Sequence, residues 1–113
     1  MDSTQLPLFI YGSLLDPDQR AEIIGRPVEA LPATLEGYDR GKRRYWFIVQ
    51  SPGAATAGAI LQRLAPADLA TLDVYEEVPE LYTRERVSVI LDGGAHCECW
   101  VYLPTGWAAK SDE

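Results

Sequence analysis

Glu76 is the residue whose position most invites chemistry. Counting in helical steps from Leu69 gives Leu72 or Asp73 and then Glu76, so a carboxylate falls on the inward stripe of a helix expected to run from Pro66 to about Glu77. Burial, the negative end of the helix macrodipole and the neighbouring Glu77 would each raise its pKa, the direction that suits a general base near neutral pH. Two plainer readings stand beside this one: an ion pair with Arg84 or Arg86 on the next strand, or exposure at a frayed helix end. A second candidate is the loop Tyr11-Gly12-Ser13-Leu14, between an apolar run and a helix start. Free backbone N–H groups there could hold a carboxylate or an oxyanion, with Gly12 letting the chain turn closely; an ordinary strand-to-helix turn is the alternative.

Other chemistries find little support. Ser13 lacks the Gly-x-Ser-x-Gly surroundings of a nucleophile elbow, and the single histidine, His96, falls on an expected strand beside a hairpin turn, so a Ser-His-acid triad is not expected. No phosphate-binding glycine loop, dinucleotide fingerprint or calcium loop is found. Cys97 and Cys99 share one face of a strand, with poor disulfide geometry and too few neighbouring ligands for a closed zinc site, which makes them buried small residues. Neither cofactor nor metal is expected.

These candidates must be positioned by short elements. Pro7 to Tyr11 reads as a buried first strand stopped at Gly12. A first helix follows, with Asp16 as N-cap, Pro17 at the first helical position, Gln19 at the capping-box position, and Gly25 and Pro27 as its end. Extended stretches are expected at Thr34 to Tyr38, Arg43 to Gln50 and Ala57 to Leu64, with Ser51-Pro52-Gly53 as a turn. The run Tyr45-Trp46-Phe47 is so aromatic that both faces of its strand should be covered, as in a small closed barrel. After the second helix, which Pro79 ends, strands at Tyr82 to Leu91 and Ala95 to Leu103 are joined through Asp92-Gly93-Gly94. The tail beyond Trp107 is polar and expected to fray.

The chain has 113 residues, enough for one domain and one core. Its seventeen acidic residues against ten Lys plus Arg give a net charge of -7, the wrong sign for a nucleic acid or an anionic membrane. The basic cluster Arg40, Lys42, Arg43 and Arg44 reads as a solvated run, with an anion patch as the alternative. With no apolar run near the ~20 residues of a membrane span and no signal-like start, a cytoplasmic monomer or weak oligomer is expected.

Phe9-Ile10-Tyr11-Gly12-Ser13-Leu14, then Leu72-Asp73-Val74-Tyr75-Glu76 and Leu81-Tyr82-Thr83-Arg84, resemble in order and spacing the gamma-glutamylcyclotransferase-like family. The likeness extends from Leu8 to about Tyr102, including Gly58 before an apolar strand and the closing Trp100-Val101-Tyr102. It implies an α+β fold, a small mixed or antiparallel β-barrel flanked by short helices. It also implies a reaction, the cyclisation of a gamma-glutamyl amine or small peptide to 5-oxoproline with release of an amine. In that reaction Glu76 would be the acid/base, Tyr11, Gly12, Ser13 and Leu14 would hold the glutamyl group chiefly through backbone groups, and Tyr82 would line the pocket. The nucleophile belongs to the substrate, so a base and a mould suffice. The chain departs from the pattern at Glu77, where many relatives carry glycine. A binding barrel without turnover, an acyl transfer on another gamma-glutamyl adduct, and a protein-binding module with a filled barrel are the alternatives.

Overall fold

The computed structural model describes residues 6–42 and 46–105. Its elements run β1 (Leu8–Ile10), a 3₁₀ turn (Ser13–Leu15), α1 (Pro17–Ile24), β2 (Ala30–Lys42), β3 (Trp46–Leu61), α2 (Pro66–Tyr75), β4 (Tyr82–Leu91) and β5 (His96–Pro104). The strands close into a barrel in the order β1-β3-β2-β4-β5, every pair antiparallel except β1 with β5. Closure leaves no free sheet edge.

Side-chain alternation divides the apolar residues into two layers. Phe9, Ala33, Leu35, Ile48, Ile60, Val89, Cys99 and Val101 form a cluster without helix residues, the barrel interior. Leu8, Ile10, Ala59, Leu61 and Tyr102 point the other way and pack against Leu69 and Leu72 of α2. All of β1 is therefore buried, one face in the barrel and one beneath a helix, which accounts for its unbroken apolar run. Burying each of Leu69 and Leu72 contributes about 2 kcal/mol. Cys99 belongs to the interior, where burial pushes its thiol up to about 12, and both cysteines are free.

The middle of the sheet differs from expectation. β2 and β3 pair continuously from Ala30 opposite Leu61 to Lys42 opposite Trp46, so Ser51-Pro52-Gly53 does not separate two strands. Tyr38 stands opposite Gln50 and Glu36 opposite Ala55, which leaves Gly37 alone against Ser51 to Ala54. The turn-forming residues produce a bulge instead, with Gly53 at φ 85°, that bends a long strand as a small barrel requires. β3 also stops at Leu61, although Leu64 beyond it is buried. The first residues of the expected strand Arg43 to Gln50, with Arg43 and Arg44 of the basic cluster, and the tail after Trp107 lie outside the described residues. Among the described residues no helix is long and apolar enough to cross a membrane.

The helix signals hold except at one residue. Asp16 caps α1 by accepting from the Asp18 N–H at 2.9 Å, and Gly25 ends the helix at φ 97°. Gln19 makes no capping box; its amide turns to Tyr75. At the start of α2, Asp68 accepts from the Ala65 N–H at 2.7 Å and forms a two-pronged bond with Arg26 at 2.9 and 2.8 Å, tying the two helices together.

α2 ends one residue before Glu76. The N–H of Glu77 donates to the carbonyl of Val74 at 3.1 Å and the N–H of Val78 to that of Asp73 at 3.0 Å, a Schellman closure with Glu77 at the left-handed position, φ 57°. A side chain in that conformation costs about 1 kcal/mol relative to glycine. Glu77→Gly is therefore expected to raise stability by about 0.5–1 kcal/mol, read as a higher urea midpoint at unchanged slope. A lowered midpoint would mean that the Glu77 side chain contributes more than its backbone costs.

Candidate active site

The site begins where β1 leaves the barrel. Tyr11 keeps its ring in the interior, and its hydroxyl donates to the Tyr102 carbonyl at 2.5 Å. Burial, then the nearby Tyr82 and Glu76, hold this phenol far above its ordinary pKa, so it anchors the loop as a neutral donor. The Tyr11 carbonyl accepts from Arg40 Nη1 at 2.9 Å, and the Arg40 guanidinium lies 5.3 Å from the centre of the Trp46 ring.

Gly12 is needed for a reason other than the one expected. Its φ of -131° is open to any residue, but a Cβ there would lie 2.9 Å from Cβ and Cγ of Trp46. Gly12→Ala is expected to displace Trp46 or the loop, to cost the fold about 1 kcal/mol and to lower any turnover at this site about tenfold or more. Steady-state kinetics beside a denaturation curve would separate the two effects; full activity would show that the wall yields freely.

After Gly12 the 3₁₀ turn is closed by Leu15 N–H to Gly12 O at 2.9 Å and Asp16 N–H to Ser13 O at 3.2 Å. These bonds use carbonyls of the loop and leave the N–H groups of Gly12, Ser13 and Leu14 uncommitted within it. Arg20 holds the turn from behind. Only 7% exposed, its guanidinium donates to the carbonyls of Leu14 at 3.0 Å, Leu15 at 3.4 Å and Val28 at 2.9 Å. The sequence reading missed Arg20, although its spacing to Ile23 and Ile24 puts it on the apolar face of α1.

Glu76 follows α2 directly, with φ -82° and ψ -2°, so its side chain continues the helical direction past Leu72. Burial pushes its carboxyl up to about 7. Burial alone accounts for the shift, and the exposed Glu77 expected to assist is not among its causes. The ion pairs expected as alternatives have other partners. Arg84 bonds both oxygens of Asp73 at 2.9 and 3.1 Å, and Arg86 bonds Glu98 at 2.9 Å. Asp73 also accepts from the Tyr102 hydroxyl at 2.7 Å, and Arg84 lies 4.5 Å from the centre of the Trp100 ring. This network fastens the helix end to β4 and β5 and so holds Glu76 in place.

Glu76 shares the wall of a cavity of about 390 Å³ with every residue singled out beside it: Tyr11, Gly12, Ser13, Leu14 and Tyr82. That volume suits a small molecule. Tyr82 is 6% exposed, and its hydroxyl donates to the Trp46 carbonyl. Trp46, Tyr75 and Tyr102 also line the wall and had no assigned role. Trp46 and Tyr75 are held there by contacts across the barrel and between helices, which local sequence does not report.

Residues 8–113 match the family described as gamma-glutamyl cyclotransferase, AIG2-like. This chain belongs to that family. It is 32% identical to Protein AIG2 C of Arabidopsis thaliana over 109 residues, which covers 93% of this chain and 63% of the relative, so the chain spans less than two thirds of that relative's length. A solution structure of an Arabidopsis thaliana protein superposes with a TM-score of 0.83 at 30% identity, covering 99% of this chain and 77% of that one. A solved gamma-glutamyl cyclotransferase shares the fold, with a TM-score of 0.79 at 24% identity over 88% of this chain and 66% of the other. The expected barrel flanked by helices is thus the fold of the AIG2-like family, and the segments that carried the resemblance are those that build the cavity.

Proposed function

We propose that this chain cyclises a gamma-glutamyl amine or small gamma-glutamyl peptide, releasing 5-oxoproline and a free amine, with Glu76 as the acid/base. The observation that carries this reading is one half-buried carboxylate on the wall of a 390 Å³ cavity, with no hydrogen-bond or ion-pair partner among the described residues; its desolvation pushes the carboxyl up to about 7. Ionised Glu76 takes a proton from the substrate's α-ammonium. The freed amine attacks the γ-carbonyl carbon, and the oxygen becomes an oxyanion. As the carbon–nitrogen bond to the leaving amine breaks, Glu76 returns the proton to that nitrogen; one proton stays on the ring nitrogen and the third passes through solvent. Water is not a reactant.

The protein's share is orientation and one proton. Holding the glutamyl chain folded back on itself supplies about 7 kcal/mol or more in favourable cases, and general acid–base transfer adds about 10²- to 10⁴-fold. In this reading the loop Gly12 to Leu14 offers backbone N–H groups to the glutamyl oxygens, and Tyr11 and Tyr82 shape the floor. A protein-binding module with a filled barrel is disfavoured by the cavity itself. A carboxylate shifted so far from its ordinary value supports turnover over binding alone.

The test is to incubate the chain with a panel of gamma-glutamyl amines and dipeptides and to identify the products. 5-Oxoproline with an equal amount of amine is expected. Free glutamate, or a transferred glutamyl group, would replace cyclisation with another acyl transfer; binding without release would make the chain a binding barrel.

A further inference from the structure

Three elements converge on one phenol oxygen at the rim of the cavity. Tyr75, the last residue of α2, places its hydroxyl 3.0 Å from Ser13 Oγ on the 3₁₀ turn, and Gln19 Nε2 of α1 donates to the same hydroxyl at 2.8 Å. A phenol oxygen that accepts from an amide keeps its own proton to give. Either hydroxyl can donate in the Ser13–Tyr75 bond; with the Gln19 amide already donating to the phenol, the arrangement in which Tyr75 donates leaves the Ser13 proton free, and Ser13 lines the cavity. His96, the only histidine of the chain, is exposed at the start of β5 and paired with Ile90 of β4, so it does not serve Ser13 as a base.

We propose that Gln19 and Tyr75 form a hydrogen-bond relay that makes the Ser13 hydroxyl a donor to an oxygen of the bound glutamyl group. This rests on the cyclotransferase reading and adds to it two positioning residues and a side-chain role for Ser13 where backbone contacts alone were expected. A hydroxyl that accepts from Tyr75 keeps its own proton free, so it can meet the γ-carbonyl oxygen or the α-carboxylate, which only accept, as a donor. The relay also fixes the turn that carries Ser13 to the helix end that carries Glu76, which sets their separation.

The decisive variant reverses the relay without changing its shape. In Gln19→Glu the carboxylate only accepts, the phenol proton turns toward residue 19, and the Ser13 proton is drawn onto the phenol oxygen. We expect kcat/KM for 5-oxoproline release to fall about tenfold in Ser13→Ala, Tyr75→Phe and Gln19→Glu, with little change in thermal midpoint and near-native activity in Ser13→Thr. The combination of Ser13→Ala with Tyr75→Phe should be no worse than either, and Gln19→Glu should have no further effect in the Tyr75→Phe background. A loss in kcat assigns the bond to the oxyanion, and a rise in KM assigns it to the carboxylate; both support the relay. Native activity in Gln19→Glu, an equal loss from it with and without the Tyr75 hydroxyl, or multiplying losses in the double variant would overturn the relay while native turnover upholds the cyclotransferase. A native chain that releases no 5-oxoproline overturns the cyclotransferase reading, and the relay's ligand with it.

Discussion

Glu76→Gln is expected to cut 5-oxoproline release by about 10³-fold and, at the same time, to make the folded chain more stable above pH 7. Glutamine keeps the size and most of the polarity of the side chain but can neither take a proton from an ammonium nor return one to a leaving amine. Because the cavity and its loop are built by other residues, binding of the glutamyl group should survive, and the loss should fall on kcat. Equal loss through KM would point instead to a carboxylate that only attracts the ammonium.

The stability gain follows from the sign of the shift. Burial raises the Glu76 carboxyl from 4.5 to about 7 in the folded chain. Below about 4.5 both states hold the proton and nothing is lost. Between 4.5 and 7 the unfolded chain ionises while the folded one does not, so stability falls as pH rises, and above 7 the full cost is in place. Allowing for partial solvent access, that cost is about 1–3 kcal/mol. Glutamine escapes it, so the two chains should unfold alike near pH 4 and diverge by pH 8 in matched urea titrations. If Glu76 is the base, the same ionisation governs turnover by the native chain, and kcat/KM should climb about tenfold per pH unit toward a plateau just above 7. A flat profile from pH 5 to 8 would remove Glu76 as the base.

What could be read beforehand was local. Asp16-Pro17 and Gly25 mark the ends of α1, Gly93 and Gly94 adopt the positive φ of a hairpin, and Glu76 interrupts an apolar stripe; each signal lies within a few residues of its effect. The misreadings came from partners distant in the chain. Ser51-Pro52-Gly53 carries the composition of a turn, and only its pairing with a distant strand, whose register shifts between Glu36 and Tyr38, makes it a bulge. Arg84 was a candidate partner for Glu76 because it stands on the next strand; Asp73 takes it instead. Gln19 has the residue type and position of a capping box, but a phenol from α2 competes for its amide. The residues that the family resemblance grouped share one cavity wall, because a resemblance carries long-range information that periodicity lacks.

Gly58→Ala is expected to have the largest effect on the fold itself. A Cβ at this position of β3 would lie 2.2 Å from the carbonyl oxygen of Ile10 and 2.7 Å from Cζ of Phe9. Neither neighbour has room to give way. Phe9 is 1% exposed in the barrel interior, and Ile10 belongs to a three-residue strand paired with β3 on one side and β5 on the other. Relief requires β1 to move away from β3 and the barrel to open at the strand that leads into the loop from Tyr11 to Leu14. The cost should be about 3 kcal/mol or more, a large share of the about 5–15 kcal/mol that holds a domain together. Gly53→Ala provides the contrast, because nothing lies within 4 Å of a Cβ there and only its φ of 85° resists, for about 1 kcal/mol. Far-UV circular dichroism and urea titration of the two variants would show whether contact or conformation dominates. If Gly58→Ala folds with a midpoint near that of Gly53→Ala, β1 can shift within the closed barrel. Turnover should then still fall, because Ile10 is the last fixed point before Tyr11 and the loop proposed to hold the substrate.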